Sequence, residues 1–179
     1  VAEINAPGLS VADVQAIISS AMAAQSTSFI NGGNEQTVAQ LLTNFPADAS
    51  MLFKYARVSD LFGQTRSVMI CEGSAGQYYW RPQRTDYSAT SAVATGGMTL
   101  TPLLSAPTIA FTGTLTGNVT VTPSITNVWP GAQFTVIANG VLGLFGINIA
   151  GLVGGGVIPL LGGSARTMTY VQGAGWRAG

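Results

Sequence analysis

The order of apolar and polar positions divides the chain into a short helical beginning and a long β-rich remainder. In "SVADVQAIISSAMAAQ" the apolar residues Val11, Val14, Ile17, Ile18 and Ala21 recur at three- and four-residue spacing, which predicts one helix with a narrow, Ala-rich stripe. Ser10 is placed as its N-cap, with Asp13 in the first turn. Asn31, Gly32 and Gly33 read as a break. "NEQTVAQLLTNF" then predicts a second helix, capped by Asn34 and stopped by Pro46. From Met51 the period changes to two. "MLFKYARVSD", "SVMICEG" and "QYYWRPQR" read as strands, the last two joined as a hairpin across Gly73 to Gly76. "SATSAVATGGM" reads as a crossover loop. Short β-branched runs follow around Ile109–Phe111, Val119–Val121 and Phe134–Val136, punctuated by Gly and Pro.

These patterns predict a mainly β protein: an antiparallel β-sandwich or barrel-like domain forming an oligomer, with a short helical N-terminal segment. Residues 1–33 are expected to be a helical anchoring or oligomerisation segment, and 34–179 the β-rich domain. The stretch "LGLFGINIAGLVGGGVIPLLGG" at 142–163 carries no charge. Six glycines precede Pro159, each costing a helix about 1 kcal/mol relative to alanine, so a spanning helix is disfavoured. The alternation in "GINIAGL" favours short strands buried on both faces, the second face covered by sister chains. The subunit interface expected from this reading comprises Leu144, Phe145, Ile147, Ile149, Leu152, Ile158, Leu160 and Leu161. The anchoring residues expected on the first helix are Val11, Val14, Ile17, Ile18 and Met22.

Composition narrows the function classes. Only 8% of residues are charged, and Lys+Arg and Asp+Glu number 7 each. An average soluble protein is about 25% charged. The chain has no basic footprint for nucleic acid or an anionic membrane. A neutral surface with few charges tends to self-associate, so an oligomer is expected. There is no histidine, which removes the commonest general base and the Ser-His-Asp and Cys-His arrangements. Neither an acid nor a base lies between Asp86 and Arg166. A glycosidase pair could be drawn only from Asp60, Glu72 and Asp86, and nothing in their spacing demands one. No catalytic residue, cofactor or metal site is therefore expected. Cys71, the lone cysteine, reads as a buried structural thiol. The opening "VAEINAPGLS" has neither the basic nor the apolar region of a signal peptide.

The densest chemistry is "QYYWRPQRTDY". Tyr78, Tyr79, Trp80, Arg81 and Arg84 form a candidate ligand or interface patch, by ring stacking and bidentate hydrogen bonding. The plainer reading is a strand whose aromatics fill the core while the arginines pair with Asp86 and Asp60.

"KYARVSDLFGQTRSVMICEGSAGQYYWRPQR", "GNVTVTPSITNVWPGAQFTVIANG" and the closing "RTMTYVQGAGWRAG" together resemble bacteriophage virion surface proteins over residues 51–179. In that group an "ARVSDL…G" strand, a "YYWRP" strand and a closing "Y…GW" recur between Thr- and Gly-rich β-segments. The resemblance implies a trimeric head fibre, capsid decoration protein or short tail fibre. Such a protein is made in the host cytoplasm and displayed on the virion surface. It attaches to the major capsid or another virion protein through its N-terminal segment. The alternative is a tail fibre or receptor-binding tip that recognises a host surface glycan. No catalytic residues carry over with the resemblance.

Overall fold

The structure, a computed structural model, describes residues 10–63, 65–92, 96–139 and 145–179, with the backbone alone at 21–27 and 90–92. The first helix, α1 (Val11–Ser28), begins at Ser10 as predicted. A capping box closes its N-terminus: Asp13 N–H donates to the Ser10 hydroxyl, and the Asp13 carboxylate accepts from Ser10 N–H at 2.8 Å. A 3₁₀ turn at Ile30–Gly33 follows, with Asn31, Gly32 and Gly33 at positive φ.

Strand β1 (Glu35–Gln36) and helix α2 (Val38–Asn44) come next. The cap of α2 is Thr37, in a capping box with Gln40, and not the expected Asn34. Glu35 and Gln36 are instead drawn into a parallel pairing with Arg57 and Val58, which delays the helix by one turn. Strands β2 (Tyr55–Leu61), β3 (Thr65–Ser74) and β4 (Gln77–Pro82) complete a sheet of order β1-β2-β3-β4. Its inner face buries Ala56, Val58, Leu61, Met69, Cys71 and Trp80, and Val38 and Leu41 of α2 are buried with them. The predicted hairpin is present, with Ser74 opposite Gln77.

The remaining strands are β5 (Ser88–Ala92), β6 (Gly96–Leu100), β7 (Thr108–Thr112), β8 (Val119–Pro123), β9 (Gln133–Ala138), β10 (Ile147–Ile149), β11 (Ile158–Leu160), β12 (Ala165–Val171) and β13 (Gly175–Ala178). They alternate between two sheets. β5, β7 and β9 run parallel in one, and β6, β8 and β10 run parallel in the other. Each passage from one sheet to the other and back is one turn of a β-solenoid, in register with the next. Ala89, Ile109 and Val136 form one column, and Met98, Val121 and Ile149 another. Antiparallel strands then close the coil: β11 on β10, β12 on β9 and β13 on β12.

The protein is thus mainly β, as expected, but the expected antiparallel sandwich or barrel is corrected to a three-turn parallel coil. The residues read as a crossover loop contribute β5 and β6. Burial alternates along β7, β8, β9 and β10. One face of each sheet enters the common core, and the other carries Thr108, Thr120, Thr135 and Asn148. On this outer face Thr135 Oγ1 lies 2.9 Å from Thr167 Oγ1.

The interface expected at 142–163 is corrected in the same way. Ile147, Ile149, Leu152 and Leu160 are buried by the chain itself, because the coil supplies the second layer. Ile158 is half-buried, while Phe145 and Leu161 are exposed. Leu144 lies outside the described residues.

Two substitutions test this packing. Ile147→Ala removes a fully buried side chain from the coil and is expected to cost about 2–5 kcal/mol in urea unfolding. Gly73 has φ 125°, and a Cβ there would stand 2.1 Å from the Gln77 carbonyl oxygen. Gly73→Ala is expected to cost more than about 1 kcal/mol by the same measurement.

Candidate functional site

Strand β4 carries the residues singled out in the sequence, and its pleat divides them. Successive side chains of a strand point to opposite faces. Trp80 is on the inner face, 2% exposed. Its indole N–H donates to the Phe45 carbonyl at 2.9 Å, satisfying the end of α2. Tyr78 shares that face, nearer the hairpin tip, and is half-buried. Tyr79 and Arg81 point to the other side. Arg84 lies beyond the strand and is exposed. Tyr78, Tyr79 and Trp80 border one cavity, while Arg81 and Arg84 lie outside it, so the five residues do not form one surface.

The charged groups among them are paired. Arg81 grips Glu72 across the β3–β4 ladder through two hydrogen bonds, 2.7 and 2.5 Å. These bonds hold the Glu72 carboxyl below its ordinary range and raise the Arg81 guanidinium above its own. Arg84 bonds Asp86 in the same two-pronged way, and its guanidinium lies 5.6 Å from the Tyr87 ring. Asp60, an expected arginine partner, instead accepts from Val38 N–H at 2.6 Å, where the first turn of α2 presents unpaired donors. Glu35 pairs with Arg66 at 3.4 Å, and Asp48 caps the turn at Ser50 and Met51. The described carboxylates are thus held by caps or by arginines. Among the described residues no group of three or more acidic, Cys or His side chains stands together. Cys71 is fully buried, and burial pushes its thiol up to about 11.

Sequence reasoning missed a groove beside Tyr78. The turn after α2, the tip of β4, the β8–β9 connection at 125–128 and the β12–β13 hairpin converge on a cavity of about 560 Å³. Trp80 and Tyr78 line one side and Tyr170 the other. Tyr170 is held edge-on against Trp176, with ring centroids 5.6 Å apart. Trp176 in turn is buried against Phe134 and donates to the Ser124 carbonyl at 2.9 Å. Gln172 Nε2 donates to Gln77 Oε1, bridging the two hairpins. Asn127, exposed and at positive φ, stands in the same lining. No residue lining the groove is charged. The sequence signalled one wall of this site through Tyr78, Tyr79 and Trp80 and the other only through the closing "Y…GW", whose tyrosine lies far from β4 along the chain. On the other side, Arg81, Trp129 and Gln133 line a second cavity of about 420 Å³.

The anchoring residues expected on α1 are placed on an open helix. Val11, Val14, Ile17 and Ile18 are 78, 44, 57 and 52% exposed. The side chain of Met22 lies outside the described residues. The helix meets the rest of the chain at its C-terminal end, where Phe29 stacks on Tyr55 at 5.5 Å and Arg57 lies over the Phe29 ring. No described helix is long and apolar enough to cross a membrane.

Two measurements check these assignments. A depressed carboxylate stabilises the fold at neutral pH, and that contribution is lost as the pH falls below the ordinary glutamate value of about 4.3. Glu72→Gln is therefore expected to cost up to about 1 kcal/mol at pH 7, with the difference from the parent shrinking steadily as the pH is lowered through the acid range in urea titrations. Cys71 is expected to resist an aromatic disulfide reagent in the native protein and to release one equivalent promptly on unfolding.

No protein-family model matches the chain, and no curated protein matches it. Among solved structures it is similar to a chain of a chaperone–substrate complex, with 16% identity and a TM-score of 0.36 over 69% of its length. It spans 24% of that chain. So loose an overlap carries no argument about fold or function.

Proposed function

We propose that the protein is a non-enzymatic structural component of a bacteriophage particle, of the head-fibre or capsid-decoration kind. It attaches through α1 to the major capsid or another virion protein, and it presents the β-coil outward as an oligomer, most simply a homotrimer. The observation that carries this reading is the bare apolar row of α1. Val11, Val14 and Ile18 are separated by three and four residues, the spacing of a helix seam, and all three are exposed. An isolated helix of this length is marginal in water, so a row of this kind is built to be covered.

Three further features support it. Phe145, Val153, Val157 and Leu161 leave exposed apolar surface on the glycine-rich stretch, where sister chains can pack. The described carboxylates are engaged in caps and ion pairs rather than set facing one another for acid-base work. The "ARVSDL", "YYWRP" and "Y…GW" segments that resemble virion surface proteins form β2, β4 and the closing β12–β13 hairpin.

The test is the solution mass of the full chain by light scattering, set beside the double variant Val14→Asp, Ile18→Asp. The expected result is an oligomer for the parent and a folded monomer for the variant. A parent chain that is monomeric at all concentrations, with α1 helical, would overturn the oligomer. Failure of the parent chain to co-sediment with phage particles that lack it, where it is otherwise displayed, would overturn the attachment.

A further inference from the structure

The groove between the β3–β4 and β12–β13 hairpins has the composition of a site for an uncharged, hydroxyl-rich ligand. We propose that it binds a neutral oligosaccharide. The inference rests on the groove alone and holds whether or not the chain belongs to a virion.

Four observations converge. First, the volume of about 560 Å³ lies within the roughly 300–1,000 Å³ typical of small-ligand sites. Second, two half-buried tyrosines, Tyr78 and Tyr170, flank it from separate hairpins, and the apolar faces of a sugar ring pack on such rings. Both are held by core neighbours, Tyr170 by Trp176 and Tyr78 by its place next to buried Trp80 on β4. Third, the polar groups are amides and hydroxyls. The Gln77 and Gln172 amides meet at the groove, and each carries both an NH₂ donor and a carbonyl acceptor, more than their mutual contact can use. Asn127 and the two tyrosines stand in the same lining. Paired donors and acceptors of this kind match vicinal hydroxyls, each of which both gives and accepts.

Fourth, charge decides between ligand classes. A phosphate, a nucleotide or an acidic sugar would need a cation, and a basic peptide would need a carboxylate. The groove lining contains neither. The exposed Ile125 at its rim adds aliphatic surface suited to a saccharide and unsuited to an ion. Trp80, by contrast, is part of the wall, with its indole N–H already committed to Phe45.

The experiment is saturation-transfer NMR of the full-length protein with two mixtures: neutral hexose oligosaccharides of two to four units, and the same sizes carrying carboxylate or sulfate groups. Transfer to at least one neutral member is expected, with at least tenfold weaker binding of its charged counterparts. The variant Asn127→Gly, Gln172→Ala removes two exposed side chains, glycine tolerating the positive φ at 127, and is expected to weaken that binding at least tenfold. Its circular dichroism should match the parent. Tyr78→Ala is the second variant, expected to abolish transfer. If its midpoint falls, Tyr78→Leu, which keeps the bulk and loses the ring, takes its place. No transfer to any neutral oligosaccharide would overturn the proposal. So would binding left unchanged by the double variant, or preference for the charged set.

Discussion

In-register stacking of parallel strands governs the C-terminal half of the molecule. Each residue of one turn lies directly over its counterpart in the next, about 4.8 Å away. A charge on one turn would therefore meet whatever lies above it at close range, and like charges opposed on a sheet are destabilising. The run from Tyr87 to Ala165, which holds no acid and no base, is the run that builds the coil. Its outer columns use threonine and asparagine, which wet a surface and can bond to copies of themselves, as Thr135 and Thr167 do. Its inner columns use Val, Ile and Phe, and the two sheets dry each other. The scarcity of charge is thus a demand of the fold itself. It needs no sister chain to explain it.

The charges that the chain does have are concentrated where the stacking stops. Asp13, Asp48 and Asp60 satisfy N–H groups at helix or turn starts, and Glu72 and Arg81 brace the β3–β4 ladder. Besides the Gln77–Gln172 link, two long-range contacts tie this charged N-terminal sheet to the neutral coil. Phe62 N–H donates to the Leu103 carbonyl at 2.8 Å, and the Phe62 and Tyr87 rings lie 5.4 Å apart. The neutral groove is another product of this junction, since its walls come from both parts.

Much of the local structure was legible in the sequence. Ser10 and Asp13 announced the start of α1, the Gly73–Gly76 turn announced a hairpin, and the two-residue period located β2, β7, β8 and β9. Strand direction was not legible. An alternating pattern such as that of Thr108 to Thr112 states which residues face inward and says nothing about parallel or antiparallel pairing. Neighbouring strands usually pair, and that general tendency pointed to a sandwich. Here each short connection carries the chain to the opposite sheet, so β7 pairs with β9 and β8 with β10. The turns of the coil differ in length, with β5, β7 and β9 starting at 88, 108 and 133, so no fixed repeat marked them. The candidate patch is divided for a related reason. "YYWRP" is contiguous in sequence, but a pleated strand sends Tyr78 and Tyr79 to opposite sides. The groove partner of Tyr78 is Tyr170, which only the closing hairpin brings near.

That hairpin has a consequence for the order of assembly. During vectorial synthesis β9 emerges long before β12, yet β12 is what covers its outer edge, and β13 with Trp176 seals the layer in turn. A nascent chain at residue 150 would carry a raw β9 flank beside an unroofed Phe134. An unpaired strand flank of this kind is a template for another chain. The lid arrives late, and the growing end of the coil is open to recruitment until it does.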